Sequence, residues 1–158
     1  MHRHLQIISG GQAGVDRGAL DAALELGAQC GGWCPEGRRA EDGRIPGRYP
    51  LTELEGAGYP ERTRQNVAGS DGTLIIHFGP LSDGTLLTLR ICEELLKPVA
   101  LIDAAEVSLE EGARTARAFI DTHDIHRLNV AGPRASHWPE AHDYARDLIH
   151  ALLKSTSH

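Results

Sequence analysis

The segment IISGGQAGVDRGALDAALEL, residues 7–26, decides the fold. The apolar run from Leu5 to Ile8 reads as a short buried strand, and from Val15 to Leu26 apolar residues recur at helical spacing. Gly10, Gly11 and Gly14 therefore sit where a strand hands over to a helix. The alternation continues downstream. AQCGGWCP (28–35) reads as a short strand, TLIIHFG (73–79) as a strong one, and PVALID (98–103) and RLNVAG (127–132) follow. Helical patterns lie near 62–69, 84–97, 108–123 and 139–154, so a strand–helix unit repeats five times. This implies an α/β fold: one doubly wound, Rossmann-like domain over residues 1–158, with a parallel sheet of about five strands covered on both faces.

Composition bounds the function. A chain of 158 residues, 41% of them hydrophobic, can bury one sizeable core. No run approaches the roughly 18 apolar residues of a membrane span, and the N-terminus lacks the apolar stretch of a secretion signal. No membrane partner is expected, and the expected location is the cytoplasm. Cys30, Cys34 and Cys92 do not form a disulfide framework, and the lone C-x-x-x-C of Cys30 and Cys34 reads as buried and structural. A net charge of −6 argues against broad nucleic-acid binding, which needs a positive surface. The cations are lopsided, with 14 arginines against Lys97 and Lys154. Arginine's planar fork suits oxyanions, although a GC-rich genome produces the same skew.

The segment from Pro35 to Pro60 interrupts the rhythm. Its stretch GRRAEDGRIPGRYPL (37–51) sets Arg38, Arg39, Arg44 and Arg48 against only Glu41 and Asp42 as acids. Loops this long in compact domains are usually functional or disordered, and an ordered binding loop at about 35–60 is expected. In open parallel sheets, ligands bind beyond the carboxyl ends of the strands, near the point where strand order reverses. The segments that follow the strands are GGQAG, PEGRR, GPLSDGT, AAE and GPRAS, and they should meet along one edge. GSDG (69–72) precedes its strand and belongs at the opposite edge.

A glycine turn entering a helix offers backbone N–H groups and the positive end of the helix dipole to an anion. GGQAGVD supplies this once. SDGTLLTLR (82–90) supplies it again, since Ser82 or Asp83 can cap a helix whose first turn holds Gly84 and Thr85. Neither turn is G-x-G-x-x-G, and no G-x-x-x-x-G-K-[ST] occurs, which disfavours a dehydrogenase or a P-loop NTPase. Each glycine cluster can instead serve close packing or a positive φ. Arg17 can pair with Asp16 or with Asp21 one turn on. His123 and His126 lack a third convergent ligand and read as solvated. Asp103 and Arg134 follow strands and lie on the ligand edge. No nucleophile elbow or carboxylate pair is evident, so no catalytic residue and no metal ligand is nominated.

SGGQAGVDRGALDAALELG, GGWCPEGRRAEDGRIPGRYPL, RTRQNVAGSDGTLII and GTLLTLRICEELLKP together resemble the molybdenum carrier family of bacteria and algae, over about residues 7–134. The resemblance implies a Rossmann-like fold related to lysine-decarboxylase-like proteins and cytokinin-activating phosphoribohydrolases, assembled as a dimer or tetramer. It implies a carrier that binds and protects molybdenum cofactor (molybdopterin), or molybdate or tungstate, and delivers it to molybdoenzyme acceptors. On that basis Gly10, Gly11, Gln12, Ser82, Asp83, Gly84 and Thr85 are expected to hold the phosphate or oxyanion, with Arg38 and Arg39 neutralising its charge from the loop. The related hydrolases carry P-G-G-x-G-T-x-x-E. Here the stretch is GPLSDGTLLT, so Thr88 stands where they have a catalytic Glu, and a threonine supplies no carboxylate. A nucleoside monophosphate phosphoribohydrolase is thus the second reading. A non-catalytic nucleotide-sensing module is the third.

Overall fold

The computed structural model describes residues 5–56 and 58–156. The chain runs β1 (Gln6–Ile8), α1 (Val15–Leu26), β2 (Cys30–Gly31), β3 (Trp33–Pro35), β4 (Arg39–Ala40), β5 (Gly43–Arg44) and β6 (Thr52–Leu54). It continues through α2 (Tyr59–Ala68), β7 (Gly72–His77), α3 (Asp83–Glu94), β8 (Val99–Asp103), α4 (Leu109–His123), β9 (Arg127–Ala131) and α5 (Ala141–Thr156). Five of the strands form one parallel sheet in the order β2-β1-β9-β7-β8.

That order has a simple meaning. Counted from β9, the last strand in the chain, β1 and β2 step outward on one side and β7 and β8 on the other. This is the 3-2-1-4-5 order of a doubly wound Rossmann-like sheet, with its first strand–helix unit moved to the C-terminus. Strand order reverses between β9 and β7. A crevice is therefore expected beyond their carboxyl ends.

Packing follows from the twofold alternation of side chains along each strand. Ile7, Leu74, Ile76, Leu128 and Val130 point to one face, where they meet Ala19 of α1, Phe119 and Ile120 of α4, and Leu148 and Ile149 of α5. On the other face α2 and α3 pack through Val67, Ile91 and Cys92, with Val99 of β8 against them. β7 is buried at every residue, which is why TLII reads as an unbroken apolar run. Among the described residues, no helix is long and apolar enough to cross a membrane.

The expected strand over 28–35 is two strands. β2 stays in the main sheet, with Ile7 beside Cys30, while β3 leaves it and pairs in parallel with β6, Trp33 beside Thr52. The break falls at Gly32, whose φ is +142° and where an added Cβ would run into the backbone of Ser9. Only glycine lets the chain step off the sheet there. The second helix starts at Tyr59, earlier than the apolar pattern suggests, with Pro60 in its first turn where a missing N–H costs nothing.

The long loop folds around one side chain. Arg38 is buried, and its guanidinium donates to the carbonyls of Ile45, Pro46, Tyr49 and Leu51 at 3.1, 2.7, 3.0 and 3.3 Å. β4 and β5 form a small antiparallel hairpin beyond it. Leu20, Cys34, Ile45 and Tyr49 make a second core that pins this structure to α1.

Candidate functional site

Two connected spaces open at the crevice. The inner chamber lies among Gly10 after β1, Asp16 of α1, Arg62 and Asn66 of α2, Thr85 and Thr88 of α3, and Asn129 to Gly132 at the end of β9. Its volume of about 20 Å³ holds roughly one water molecule. The outer groove, about 680 Å³, is walled by Ser82, Asp83, Leu87, Pro133, Arg134 and His137. Tyr59, Gly84, Thr85 and Gly132 border both spaces.

Arg62 dominates the inner chamber. It is 5% exposed, its guanidinium lies 4.2 Å from the centroid of the Tyr59 ring, and its Nη1 is 3.9 Å from Oδ2 of Asp16. Arg134 lies over the same ring at 5.1 Å. Among the described residues, the Nε and Nη2 of Arg62 are buried without a hydrogen-bond partner. Guanidinium nitrogens only donate, and leaving charged donors buried and unpaired costs more than leaving neutral ones so. An anion facing them would remove that cost.

The glycine turn seats this arginine. A Cβ on Gly10 would collide with the Arg62 guanidinium, so Gly10 leaves the space that Arg62 fills. The next two amides are already engaged. Gly11 N–H donates to Ser9 Oγ at 3.2 Å and Gln12 N–H to Asp16 Oδ2 at 3.2 Å. The Gln12 side chain donates to the Arg39 carbonyl at 2.9 Å. Arg17 pairs with neither Asp16 nor Asp21. Its Nε donates to the Gly11 carbonyl at 2.9 Å, and its two terminal nitrogens fork onto Asp42 of the loop at 2.5 and 2.8 Å.

The start of α3 is different. Ser82 occupies the N-cap position, yet its side chain makes no capping hydrogen bond. The Ser82 hydroxyl instead lies 3.1 Å from that of Thr85, which donates to the Ser82 carbonyl at 2.9 Å. First-turn amides have no acceptor within a helix, and Asp83, Gly84 and Thr85, which carry them, line the groove at the positive end of the dipole. The Thr88 hydroxyl donates to the Gly84 carbonyl at 3.1 Å.

Of the residues expected from sequence, Gly10, Ser82, Asp83, Gly84 and Thr85 come together here, and Gly11 and Gln12 sit just behind. Arg38 and Arg39 line neither space. Arg38 is consumed by loop carbonyls, and exposed Arg39 donates from Nε to the Glu36 carbonyl at 3.0 Å. Asp103 accepts from the amides of Gly79 and Ala105, which hold its carboxyl below the usual range. His123 packs on Phe119, and His126 lies 3.6 Å from Asp124. Burial pushes the thiols of Cys30 and Cys34 up.

Arg62 and Asp16 are the residues that sequence reasoning missed as site residues. Nothing in the spacing of RTRQ separates Arg62 from Arg64, which pairs on the surface with Glu94 at 2.5 Å. Only the closure of the fold shows which faces inward. Burial pushes the Asp16 carboxyl above its ordinary range, opposed by Arg62, the Gln12 amide, Arg134 and Arg17.

The strand order and the crevice at its reversal define a Rossmann-like α/β domain built on a permuted chain. The chain belongs to the circularly permutated YpsA SLOG family, whose model matches residues 7–153. It is also similar to a crystal structure from Syntrophus aciditrophicus SB of a protein called a putative molybdenum carrier protein. The two are 43% identical, the match covers 97% of this chain and 98% of that one, and the TM-score is 0.93. No curated protein matches the chain.

Proposed function

We propose that the crevice holds the phosphate end of a phosphorylated cofactor, that the cargo is molybdenum cofactor, and that the protein carries its ligand without transforming it. One observation carries the anion-binding part: a buried arginine with two unpaired nitrogens stands beside the uncapped start of a helix. An oxyanion between them accepts from Arg62 and from the amides of Gly84 and Thr85. Charge-assisted bonds of this kind are the stronger ones. The outer groove has the volume of a small-molecule site, with Leu87 and Pro133 as apolar wall and Arg134 and His137 as polar contacts for the body of the ligand. Molybdenum itself needs no protein ligand, because the dithiolene of the cofactor holds it. The identity of the cargo rests on the likeness to the protein called a putative molybdenum carrier.

In this reading the protein works in the cytoplasm as a homo-oligomer and hands its cargo to a molybdoenzyme. The test is purification from cells rich in molybdenum cofactor, followed by metal analysis and by oxidation to a fluorescent pterin. Wild-type protein is expected to retain molybdenum and pterin in equal amounts, and Arg62→Ala to lose both. Co-purification of a nucleotide would favour the sensing module. Release of ribose 5-phosphate from nucleoside monophosphates would favour the hydrolase.

A further inference from the structure

The inner chamber has room for about one oxygen atom, so a bound oxyanion enters it oxygen first. That oxygen meets Arg62, which only donates, and Asp16, whose carboxylate only accepts. The pairing of opposite functions in one small space has a chemical consequence. Resting on the anion-binding reading above, we propose that Asp16 makes the chamber selective for an oxyanion that brings its own proton, such as a phosphate monoester or inorganic phosphate, over a fully ionised one such as sulfate or molybdate.

A P–OH oxygen in the chamber donates its hydrogen to Asp16 and accepts from Arg62, while the remaining oxygens, outside it, accept from the first turn of α3. A fully ionised anion presents an acceptor to an acceptor, and two negative oxygens repel strongly in a site shielded from water. Such an anion is admitted only when Asp16 takes a proton from solvent. The charged groups that face Asp16 are Arg62 of α2, Arg17 on α1 itself and Arg134 after β9. Burial, the largest effect, raises the carboxyl above its ordinary range, and the three cations oppose it by favouring the ionised form. Phosphate monoesters release their second proton near about pH 6, so about a tenth still carries a proton at pH 7 and binding draws on that form, whereas inorganic phosphate keeps a P–OH even above its second ionisation. The site is thereby suited to a phosphorylated cargo rather than to bare molybdate.

Titration calorimetry on the full chain with inorganic phosphate, sulfate and molybdate tests this. At pH 7 and above, phosphate is expected to bind at least about tenfold more tightly than sulfate or molybdate, a difference of about 1.4 kcal/mol. Asp16→Asn presents an amide donor, and its sulfate affinity is expected to rise until the preference is gone. Titrations of wild-type protein in buffers of different ionisation enthalpy supply a readout independent of that variant's folding. Sulfate binding is expected to take up about one proton, and phosphate binding above its second ionisation almost none. Equal affinity for phosphate and sulfate, absence of proton uptake with sulfate, or an Asp16→Asn protein that keeps the preference would overturn the inference and leave the anion site standing. Failure of all three anions to bind would overturn the anion site and the inference together.

Discussion

The Arg62 guanidinium fills the space that a side chain on Gly10 would need. Gly10 is not among the residues with positive φ, so its backbone accepts alanine and the conflict is with the guanidinium alone. Gly10→Ala is expected to fold, at a cost near the low end of the roughly 1–3 kcal/mol of overpacking, because the far end of a long side chain can move. It is expected to lose at least about tenfold in phosphate affinity. Adding Arg62→Ala to it should cost nothing more in affinity, since both changes remove one contact. Additive losses in the double variant would show that Gly10 acts by another route.

Arg38 separates stability from binding. Its guanidinium satisfies four loop carbonyls from a buried position, so Arg38→Ala leaves acceptors without donors and removes the centre of the loop. A loss of about 3 kcal/mol or more is expected in denaturant unfolding, with phosphate affinity of the folded fraction changed little. A stable Arg38→Ala protein that binds phosphate poorly would return Arg38 to the site.

These two arginines mark where sequence reading reaches and where it stops. The alternation of strands and helices is written locally, in periods of two and 3.6, and the five units were legible from it. Strand order is set by contacts far apart in sequence, so the placement of β9 between β1 and β7 left no local mark. The same holds for the site. The start of α3 was legible as SDGT because a helix end is a local feature, although the side-chain cap expected from Ser82 or Asp83 is not made. Arg38 looked available because it lies in a run of cations, and only the closing of the loop turns it inward. Arg62 looked ordinary because burial is decided by Gly10, fifty-two positions earlier in the chain.

Arg17 and Asp42 fasten the hairpin of the loop to the glycine turn. Asp42 is 49% exposed, so solvent screens the pair, and Asp42→Asn is expected to lower the melting temperature only modestly at neutral pH. The hydrogen bonds from Arg17 hold the Asp42 carboxyl below 3.8 against a small opposing effect of burial. A depressed folded-state pKa contributes stability above the unfolded value and loses it as pH falls through the folded one. The gap between wild type and Asp42→Asn should therefore be constant at neutral pH and close below 3.8. A gap that persists in acid would assign the effect to packing.

His142 titrates in the opposite sense. Its Nε2 lies 2.6 Å from Oδ2 of Asp21 and its Nδ1 2.9 Å from Oδ1 of Asp143, so both ring nitrogens face carboxylates and the imidazolium suits both. Burial alone would lower its pKa, but the hydrogen bonds to Asp21 and Asp143 outweigh burial and hold it above 6.5. Asp21 also accepts from the Tyr49 hydroxyl at 2.8 Å, which joins α1 and α5 to the long loop. Burial and that hydrogen bond push Tyr49 up to about 12, so the phenol keeps its proton while His142 loses its own. A raised folded-state pKa contributes stability that is fully present below the unfolded value of 6.5 and lost as pH rises through the folded one. His142→Ala is therefore expected to melt well below wild type in mild acid, with the difference shrinking steadily as pH rises past 6.5. Melting curves for both proteins across that range decide the matter. A difference that grows with pH would mean that His142 stabilises the fold as the neutral ring.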